Sequence, residues 1–341
     1  MFGQKTVLIV GAGASAESTM PTGAELKERI AKLLNFVHPA IDDEFRAIIA
    51  LRFKNEKKKY LESATKLAKL VGKFDSIDEA LNWFSDRPEI LSVGKAAIVR
   101  AILLAEKNSQ LFNNVTPNMA PALDYSENWL VPFLLMSIRS LTREEAKEKL
   151  FENVTVINFN YDRTIEHFIF SELQRSYKFG TIEAQTMVSR LAPRIIRPYG
   201  SVGPLPWFAQ PEKTGIQFGA DLGRNHEELF RLSKNIATYT EKNLEEKIAN
   251  EIKTVIQVSR VVIFLGFGFH QQNMQLLKQM QTVDYRRVFG TIRGISNDNE
   301  KELIPYIAST VGCLPANAQF LYQPAYKLLE DLKPTISALV S

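Results

Sequence analysis

The chain has 341 residues, of which 45% are hydrophobic and 23% are charged, values typical of a globular protein with one large or two small domains. Its formal net charge of +4 is too small to indicate nucleic-acid binding, and no apolar run approaches the ~18 residues of a membrane span. The single cysteine, Cys313, excludes an intramolecular disulfide and a cysteine-based zinc cluster, so we expect a cytoplasmic protein.

The first predicted element is a buried parallel strand, because Val7 to Val10 form an uninterrupted apolar run. It is followed directly by Gly11-Ala12-Gly13-Ala14-Ser15, and Ala16 fills the third position that the G-x-G-x-x-G/A fingerprint allows. A glycine turn after a strand lets a phosphate approach the backbone, and a helix N-terminus attracts anions. The pattern predicts a dinucleotide-binding site. The alternative is a tight strand-to-helix turn that binds nothing.

Two features separate this segment from that of a typical dehydrogenase. Residues 16–21 have the composition of a loop, and only Thr22-Gly23-Ala24-Glu25 has the signature of a helix N-terminus. No strand ends in a ribose-binding acid about 20 residues past the glycines. We therefore expect a dinucleotide that is bound without serving as a hydride carrier.

The next segment, residues 40–150, contains no convincing strand, and its apolar spacing predicts a block of helices. The predicted helices span residues 44–70, 77–84, 95–106 and 129–141. We therefore predict an inserted helical module over residues 37–150, large enough to form a core of its own.

Strands then alternate with helices through the rest of the chain. The predicted strands span residues 153–159, 194–197, 260–266 and 287–292, and the predicted helices span residues 163–175, 225–259, 273–280, 300–309 and 325–340. This alternation predicts an α/β fold with a Rossmann-like, doubly wound parallel sheet, formed by residues 1–36 and 151–341.

Polar and glycine-rich segments follow the predicted strands. Asn158-Phe159-Asn160-Tyr161-Asp162 follows one strand, Tyr199-Gly200-Ser201 follows the next, and Gly266-Phe267-Gly268-Phe269-His270 follows a third. Because ligands of parallel sheets bind beyond the carboxyl ends of the strands, we expect these segments to lie beside the glycine loop.

Taken in order, these segments resemble the sirtuin family, and more closely the sirtuin-like domains of bacterial antiphage defence proteins. Residues 74–78 and 266–270 are also similar to stretches typical of that bacterial branch. The motifs span residues 7–273, most of the chain.

The resemblance implies a domain that binds NAD as its substrate and needs no metal. Gly11, Ala12, Gly13 and Ser15 would meet the phosphates and the adjoining ribose. Asn160 would hold a water or the nicotinamide ribose, and Asp162 would engage the nicotinamide end. The remaining predicted binding residues are Gly200, Ser201, Gly266, Gly268 and His270, with Gly266 and Gly268 on the adenosine side. The predicted catalytic residues are Asn160, Asp162 and Tyr199.

The chain departs from the sirtuin pattern in two ways. The four-cysteine zinc module of the deacylases is missing, so protein deacylation is not expected. The family's catalytic histidine corresponds to Tyr199, and a phenol with a pKa near ~10 is a poor base at neutral pH. A tyrosine can still donate or accept a hydrogen bond. The substitution therefore bears on catalysis more than on binding.

The resulting hypothesis is an NAD⁺ hydrolase that cleaves the nicotinamide–ribose bond and depletes NAD⁺ during phage infection. By analogy it would be a homo-oligomer, activated by a separate protein such as a HerA-type ATPase, with no membrane or nucleic-acid partner. The alternative is a non-catalytic sensor or assembly subunit that binds NAD or ADP-ribose. Transfer of ADP-ribose to a protein would use the same site.

Several of these residues also have purely structural interpretations. Asn160 or Asp162 could cap the helix that starts near residue 162. His270 could be a structural histidine at a turn. Asp78 lies beside Ser76, a candidate helix cap, and could have either a structural or a site role.

Overall fold

A six-stranded, all-parallel sheet forms the centre of the molecule, with the strand order β3-β2-β1-β4-β5-β6. The computed structural model describes residues 2–36, 43–112, 126–208, 214–237, 242–293 and 297–338. The strands are β1 (Thr6–Val10), β2 (Val154–Asn158), β3 (Ile195–Ile196), β4 (Val261–Leu265), β5 (Arg287–Thr291) and β6 (Ala318–Leu321). The predicted α/β class and doubly wound parallel sheet are confirmed.

Helices cover both faces of this sheet. The first group is α1 (Ala12–Ser15), α2 (Gly23–Leu34), α3 (Asp43–Arg52), α4 (Lys57–Leu70), α5 (Ile77–Trp83), α6 (Pro88–Lys107), α7 (Leu130–Ile138) and α8 (Arg143–Lys149). The second group is α9 (Thr164–Arg175), α10 (Thr181–Leu191), α11 (His226–Ser233), α12 (Lys242–Gln257), α13 (Gln271–Leu277), α14 (Asn297–Thr310) and α15 (Ala325–Ala338). No helix in the described part of the chain is long and apolar enough to cross a membrane.

The register of the central strands determines where the functional loops lie. Val10, the last residue of β1, is level with Asn158 of β2 on one side and with Leu265 of β4 on the other. The loops that follow these three strands therefore leave the sheet side by side at one edge. The chain order reverses between β1 and β4, and such a switch point is where open α/β sheets bind ligands.

Side chains alternate between two cores, because successive residues of a strand point to opposite faces. Val7 and Ile9 belong to one hydrophobic cluster, and Leu8 and Val10 belong to the other. The first cluster includes residues of α2 to α6, and the second includes residues of α7, α9, α10 and α15. Helices of the predicted inserted module therefore pack on both faces of the sheet. The division into two modules stays a prediction, and its boundary at residue 37 lies outside the described residues.

Several predicted elements differ from the structure in extent. A loop was expected over residues 16–21, but Ala16–Ser18 form a 3₁₀ turn that follows α1. The predicted helix start is confirmed, because α2 begins at Gly23 and Thr22 and Glu25 form its capping box. The predicted helix over residues 225–259 is two helices, α11 and α12, because residues 234–237 leave the helical path and Ile236 pairs with Gly200. The last residues of the predicted terminal helix, 339–340, lie outside the described residues.

Candidate functional site

A cavity of about 1330 Å³ opens at the carboxyl ends of the central strands. Its wall includes residues of the loops after β1 to β5, of the N-terminal ends of α2 and α5, and of segments 126–128 and 322–326. The predicted site residues on this wall are Gly11, Ala12, Gly13, Asn160, Asp162, Tyr199, Gly266, Gly268 and His270. Three predicted residues are not part of the wall, namely Ser15, Gly200 and Ser201.

The glycines of the first loop are required by its contact with the loop after β4. Gly11 N–H donates to the Leu265 carbonyl at 3.0 Å, and Gly13 N–H donates to the Gly266 carbonyl at 2.9 Å. A Cβ atom on Gly11 would lie 2.6 Å from that Gly266 oxygen. The close approach that these glycines allow is therefore between two backbone segments. Ala12 N–H donates to no group within the described residues, and Ala12 lines the cavity.

Asn160 is held in one orientation by the glycine loop. Its Nδ2 group donates to the Gly11 carbonyl at 3.0 Å and to Ser15 Oγ at 2.8 Å. A carbonyl can only accept, so the amide nitrogen must face the loop and the amide oxygen is left for other partners. The buried Ser15 thus positions Asn160. The backbone N–H of Asn160 is bound by Asn158 Oδ1 at 3.0 Å.

Arg163 is the N-cap residue of α9, and Asp162, just before it, binds the first residue of the helix through its side chain. Its Oδ1 atom accepts from Thr164 N–H at 3.1 Å and from Thr164 Oγ1 at 2.6 Å. The residue is 3% exposed, and it also lines the cavity. Asp162 therefore brings a carboxyl group to the cavity wall, and one of its oxygens is engaged by Thr164.

Arg197 fixes the backbone that carries these two side chains. Its Nη1 group donates to the carbonyls of Asn160 at 3.0 Å and Asp162 at 2.9 Å. Its Nη2 group donates to both carboxylate oxygens of Glu166, at 2.7 and 2.9 Å. The planar guanidinium suits this arrangement because its donors are fixed relative to one another. Sequence reasoning missed this role, since Arg197 falls at the end of a predicted strand.

Tyr199 lies on the cavity wall, as predicted. Its hydroxyl donates to Asn273 Oδ1 at 2.6 Å, and Asn273 also lines the cavity from α13. Its ring meets Phe159 edge-on, with 6.0 Å between the ring centroids. Tyr199 therefore links the loop after β3 to the helix that follows the second glycine loop.

Asp78 and Tyr161 form a further pair on the wall. The Tyr161 hydroxyl donates to Asp78 Oδ1, and both residues line the cavity. Burial raises the pKa of Asp78 to about 6 although this hydrogen bond opposes the shift, and burial also raises the pKa of Tyr161. Ser76 caps α5 by accepting from Glu79 N–H at 3.0 Å. The contact joins residues far apart in sequence, so no local pattern reveals it.

Glu17 joins the first loop to two helices. Its carboxylate accepts from Trp129 N–H at 2.8 Å, next to the start of α7. It also accepts from the N–H groups of Ala325 at 2.7 Å and Tyr326 at 3.2 Å, at the start of α15. Burial outweighs these hydrogen bonds and raises the pKa of Glu17 to about 7.

The loop after β4 has a strained backbone. Gly266 has a φ of +54°, and Phe269 also has a φ of +54°, a conformation that costs a bulky residue free energy. Phe269 is held by packing against the rings of Phe264, Phe267 and Phe320. A Cβ atom on Gly268 would lie 2.9 Å from Nε2 of His270, so this glycine leaves room for the histidine ring.

Carboxyl groups outnumber cationic side chains on the described cavity wall. Its carboxylates are Glu17, Asp75, Asp78, Glu127 and Asp162, whereas Arg293 is the only lysine or arginine among the described residues that line it. The wall therefore favours a ligand that carries positive charge near the carboxylates. No group of three potential metal ligands was found among the described residues.

Comparison of the chain with family models, curated proteins and solved structures finds no match in any of the three.

Proposed function

We propose that the protein is an NAD⁺ hydrolase that cleaves the bond between nicotinamide and ribose. The observation that carries this proposal is the cavity at the switch point of the sheet, which the glycine loops share with Asn160, Asp162 and Tyr199. Ligands of open α/β sheets bind at this position. The proposal includes membership of the sirtuin-like proteins, for which the order of the motifs along residues 7–273 is the support.

The composition of the cavity fits a dinucleotide with a cationic end. Its volume of about 1330 Å³ exceeds the range of about 300–1,000 Å³ that is usual for small-molecule pockets. Ala12 N–H and the cationic Arg293 are suited to phosphate oxygens. The carboxylates of Asp78 and Asp162 are suited to the positively charged nicotinamide ring and its ribose.

The chemistry at the nicotinamide end follows from the groups beside Asn160. Cleavage of the glycosidic bond develops positive charge on the ribose, and a fixed negative charge such as Asp162 stabilises it. The Asn160 amide oxygen accepts a hydrogen bond from the water that attacks the ribose. Because Asn160 is held by Gly11 and Ser15, this acceptor is in place before the substrate binds.

The test of this assignment is nicotinamide release from NAD⁺ by the purified full chain, followed by chromatography. We expect Asn160→Ala to lower the rate at least about 100-fold, the effect of losing one such oriented group. The matched control is Asn250→Ala, which changes an exposed asparagine on α12 and leaves the rate unchanged. Turnover that survives Asn160→Ala in a folded protein contradicts the assignment.

A non-catalytic binding module is the second candidate. The Tyr199 hydroxyl is engaged by Asn273 and one oxygen of Asp162 is engaged by Thr164, so neither is a ready base. Tight NAD⁺ or ADP-ribose binding in calorimetry, with no product after long incubation with or without partner proteins, would establish this alternative. Transfer of ADP-ribose to a protein would instead appear as label from NAD⁺ retained on protein.

We further propose, from the resemblance alone, the biological setting of the activity. The protein acts in the cytoplasm, depletes NAD⁺ when phage infection triggers it, and is silent otherwise. It assembles as a homo-oligomer and is activated by a separate protein, such as a HerA-type ATPase. Light scattering on the purified chain, alone and with the product of a neighbouring gene, tests the assembly.

A further inference from the structure

The pairing of Asp78 with Tyr161 places a carboxylate from the helical segment next to the loop after β2. Tyr161 stands between Asn160 and Asp162 in sequence, and its hydroxyl donates to Asp78 Oδ1. All four residues line the same cavity. The Asp78 carboxylate therefore contacts the end of the Tyr161 side chain, on the wall of the cavity that it shares with Asn160 and Asp162.

The other carboxylates on the wall are less able to accept a proton from that water. Asp162 uses one oxygen in two hydrogen bonds to Thr164. Glu17 accepts three backbone N–H groups. Asp75 and Glu127 are exposed to solvent. Asp78 is half-buried, and within the described part of the chain its carboxylate accepts from the Tyr161 hydroxyl and from its own backbone N–H.

We propose that Asp78 is the general base of the reaction and that Tyr161 is its positioning residue, an inference that rests on the proposed NAD⁺ cleavage. One water O–H bond breaks, and its proton passes to the Asp78 carboxylate. The water oxygen forms the new bond to C1′ of the ribose. The electron pair of the C1′–nitrogen bond moves to the nicotinamide ring and neutralises its charge. Asp78 then releases the proton to solvent, so the products are nicotinamide, ADP-ribose and one proton.

The surroundings of Asp78 suit this role. Efficient general bases have pKa values near the working pH, and burial raises the pKa of Asp78 to about 6. Tyr161 is the titratable side chain that contacts Asp78, and Tyr199 in turn lies near Tyr161. Lys27 of α2 donates to the Phe74 carbonyl, in the segment that precedes α5. Helix α6 presents the apolar Ile102 to the cavity.

The experiment measures kcat, KM and the pH profile of nicotinamide release for the full chain and three variants. Asp78→Asn should lower kcat by about 10²–10⁴-fold with NAD⁺ affinity in calorimetry retained. The wild-type kcat should fall as the pH drops through about 6, where Asp78 becomes protonated. Tyr161→Phe removes a hydrogen bond that lowers this pKa, so the acidic limb should move to higher pH. Asp86→Asn, at an exposed position before α6, is the control.

Each outcome decides the inference. Asp78→Asn and Tyr161→Phe could lower only the thermal unfolding temperature and leave kcat and its pH profile unchanged. The pair would then contribute to stability alone, and the inference would be wrong. If Asp78→Asn fails to fold, the pH profile of Tyr161→Phe is the test. An acidic limb that moves to higher pH supports the inference, and one that stays in place overturns it. A wild-type chain that binds NAD⁺ and releases no nicotinamide at any pH overturns the proposed function, and the inference with it. Release at the wild-type rate by Asp78→Asn overturns the inference alone.

Discussion

In the proposed assignment to the sirtuin-like proteins, Tyr199 corresponds to their catalytic histidine. Its hydroxyl is held by Asn273 at 2.6 Å. Tyr199→Phe keeps the ring against Phe159 and removes this hydrogen bond. The half-buried Asn273 oxygen loses its donor, at a cost of about 1–3 kcal/mol. We expect nicotinamide release to fall by roughly 10- to 100-fold with the fold intact.

The partner residue supplies the control for Tyr199. A double-mutant cycle combines Tyr199→Phe with Asn273→Ala. Their effects on kcat should be strongly non-additive, because both remove the same hydrogen bond. Additive effects would mean that Tyr199 acts on the reaction independently of Asn273.

Arg197 gives a second prediction for a single residue, concerning stability. The side chains of Arg197 and Glu166 are 12% and 11% exposed. Arg197→Met leaves the Glu166 carboxylate buried without its partner, which costs about 3–5 kcal/mol. Denaturant unfolding measures this loss, and adding Glu166→Gln should recover part of it. Arg231→Met removes the more exposed pair with Glu228, so it should cost no more than about 1 kcal/mol.

The two glycine loops can be tested as one packed element. A Cβ atom on Gly266 would lie 2.0 Å from the Ala14 nitrogen, and its φ of +54° disfavours any side chain. Gly266→Ala should therefore lower the free energy of unfolding by about 3 kcal/mol or more. Gly23→Ala is the control, because Gly23 starts α2 and a new Cβ there would meet no other segment within 4 Å. A Gly266→Ala protein as stable as Gly23→Ala would contradict the packing.

Elements with a strong local pattern could be predicted from the sequence, and elements set by tertiary contacts could not. β1 to β5 overlap predicted strands, because buried parallel strands are continuous apolar runs. β6 was missed because its four residues include the polar Gln319 and form no continuous apolar run. The break between α11 and α12 involves the pairing of Ile236 with Gly200, a contact that helical periodicity does not encode.

At the scale of the whole molecule, buried titratable groups make stability depend on pH. The pKa of Glu17 rises from 4.5 to about 7 on folding, so the folded protein binds more protons than the unfolded chain in that window. The free energy of unfolding therefore falls as the pH rises from about 4.5 to 7. The raised pKa of Asp78 likewise makes the free energy of unfolding fall as the pH rises. Burial lowers the pKa of His167 to about 4, so His167 makes the free energy of unfolding rise with pH.

A comparison of variants isolates the contribution of Glu17. Relative to Glu17→Gln, the wild-type protein should lose of order 1–3 kcal/mol of stability between pH 4.5 and 7. Glu144→Gln, whose side chain is 77% exposed, should show no such trend against the wild type. A difference between wild type and Glu17→Gln that is constant with pH would contradict the raised pKa.

The site itself was predictable only where its residues follow a strand. Gly11, Asn160 and Gly266 could be placed together because the carboxyl ends of parallel strands share one edge. Ser15, Arg197 and Asn273 support these groups through contacts between distant segments. Such contacts depend on how the loops pack, and no local sequence pattern predicts that packing.

Proton NMR of NAD⁺ incubated with the purified full chain tests the central claim most directly, since it follows substrate and both products together. We predict equimolar nicotinamide and ADP-ribose, formed by the wild type and by Asn250→Ala but not by Asn160→Ala. NAD⁺ that stays intact with the folded wild-type chain, alone and with its candidate activator, would contradict the assignment of this cavity to NAD⁺ hydrolysis.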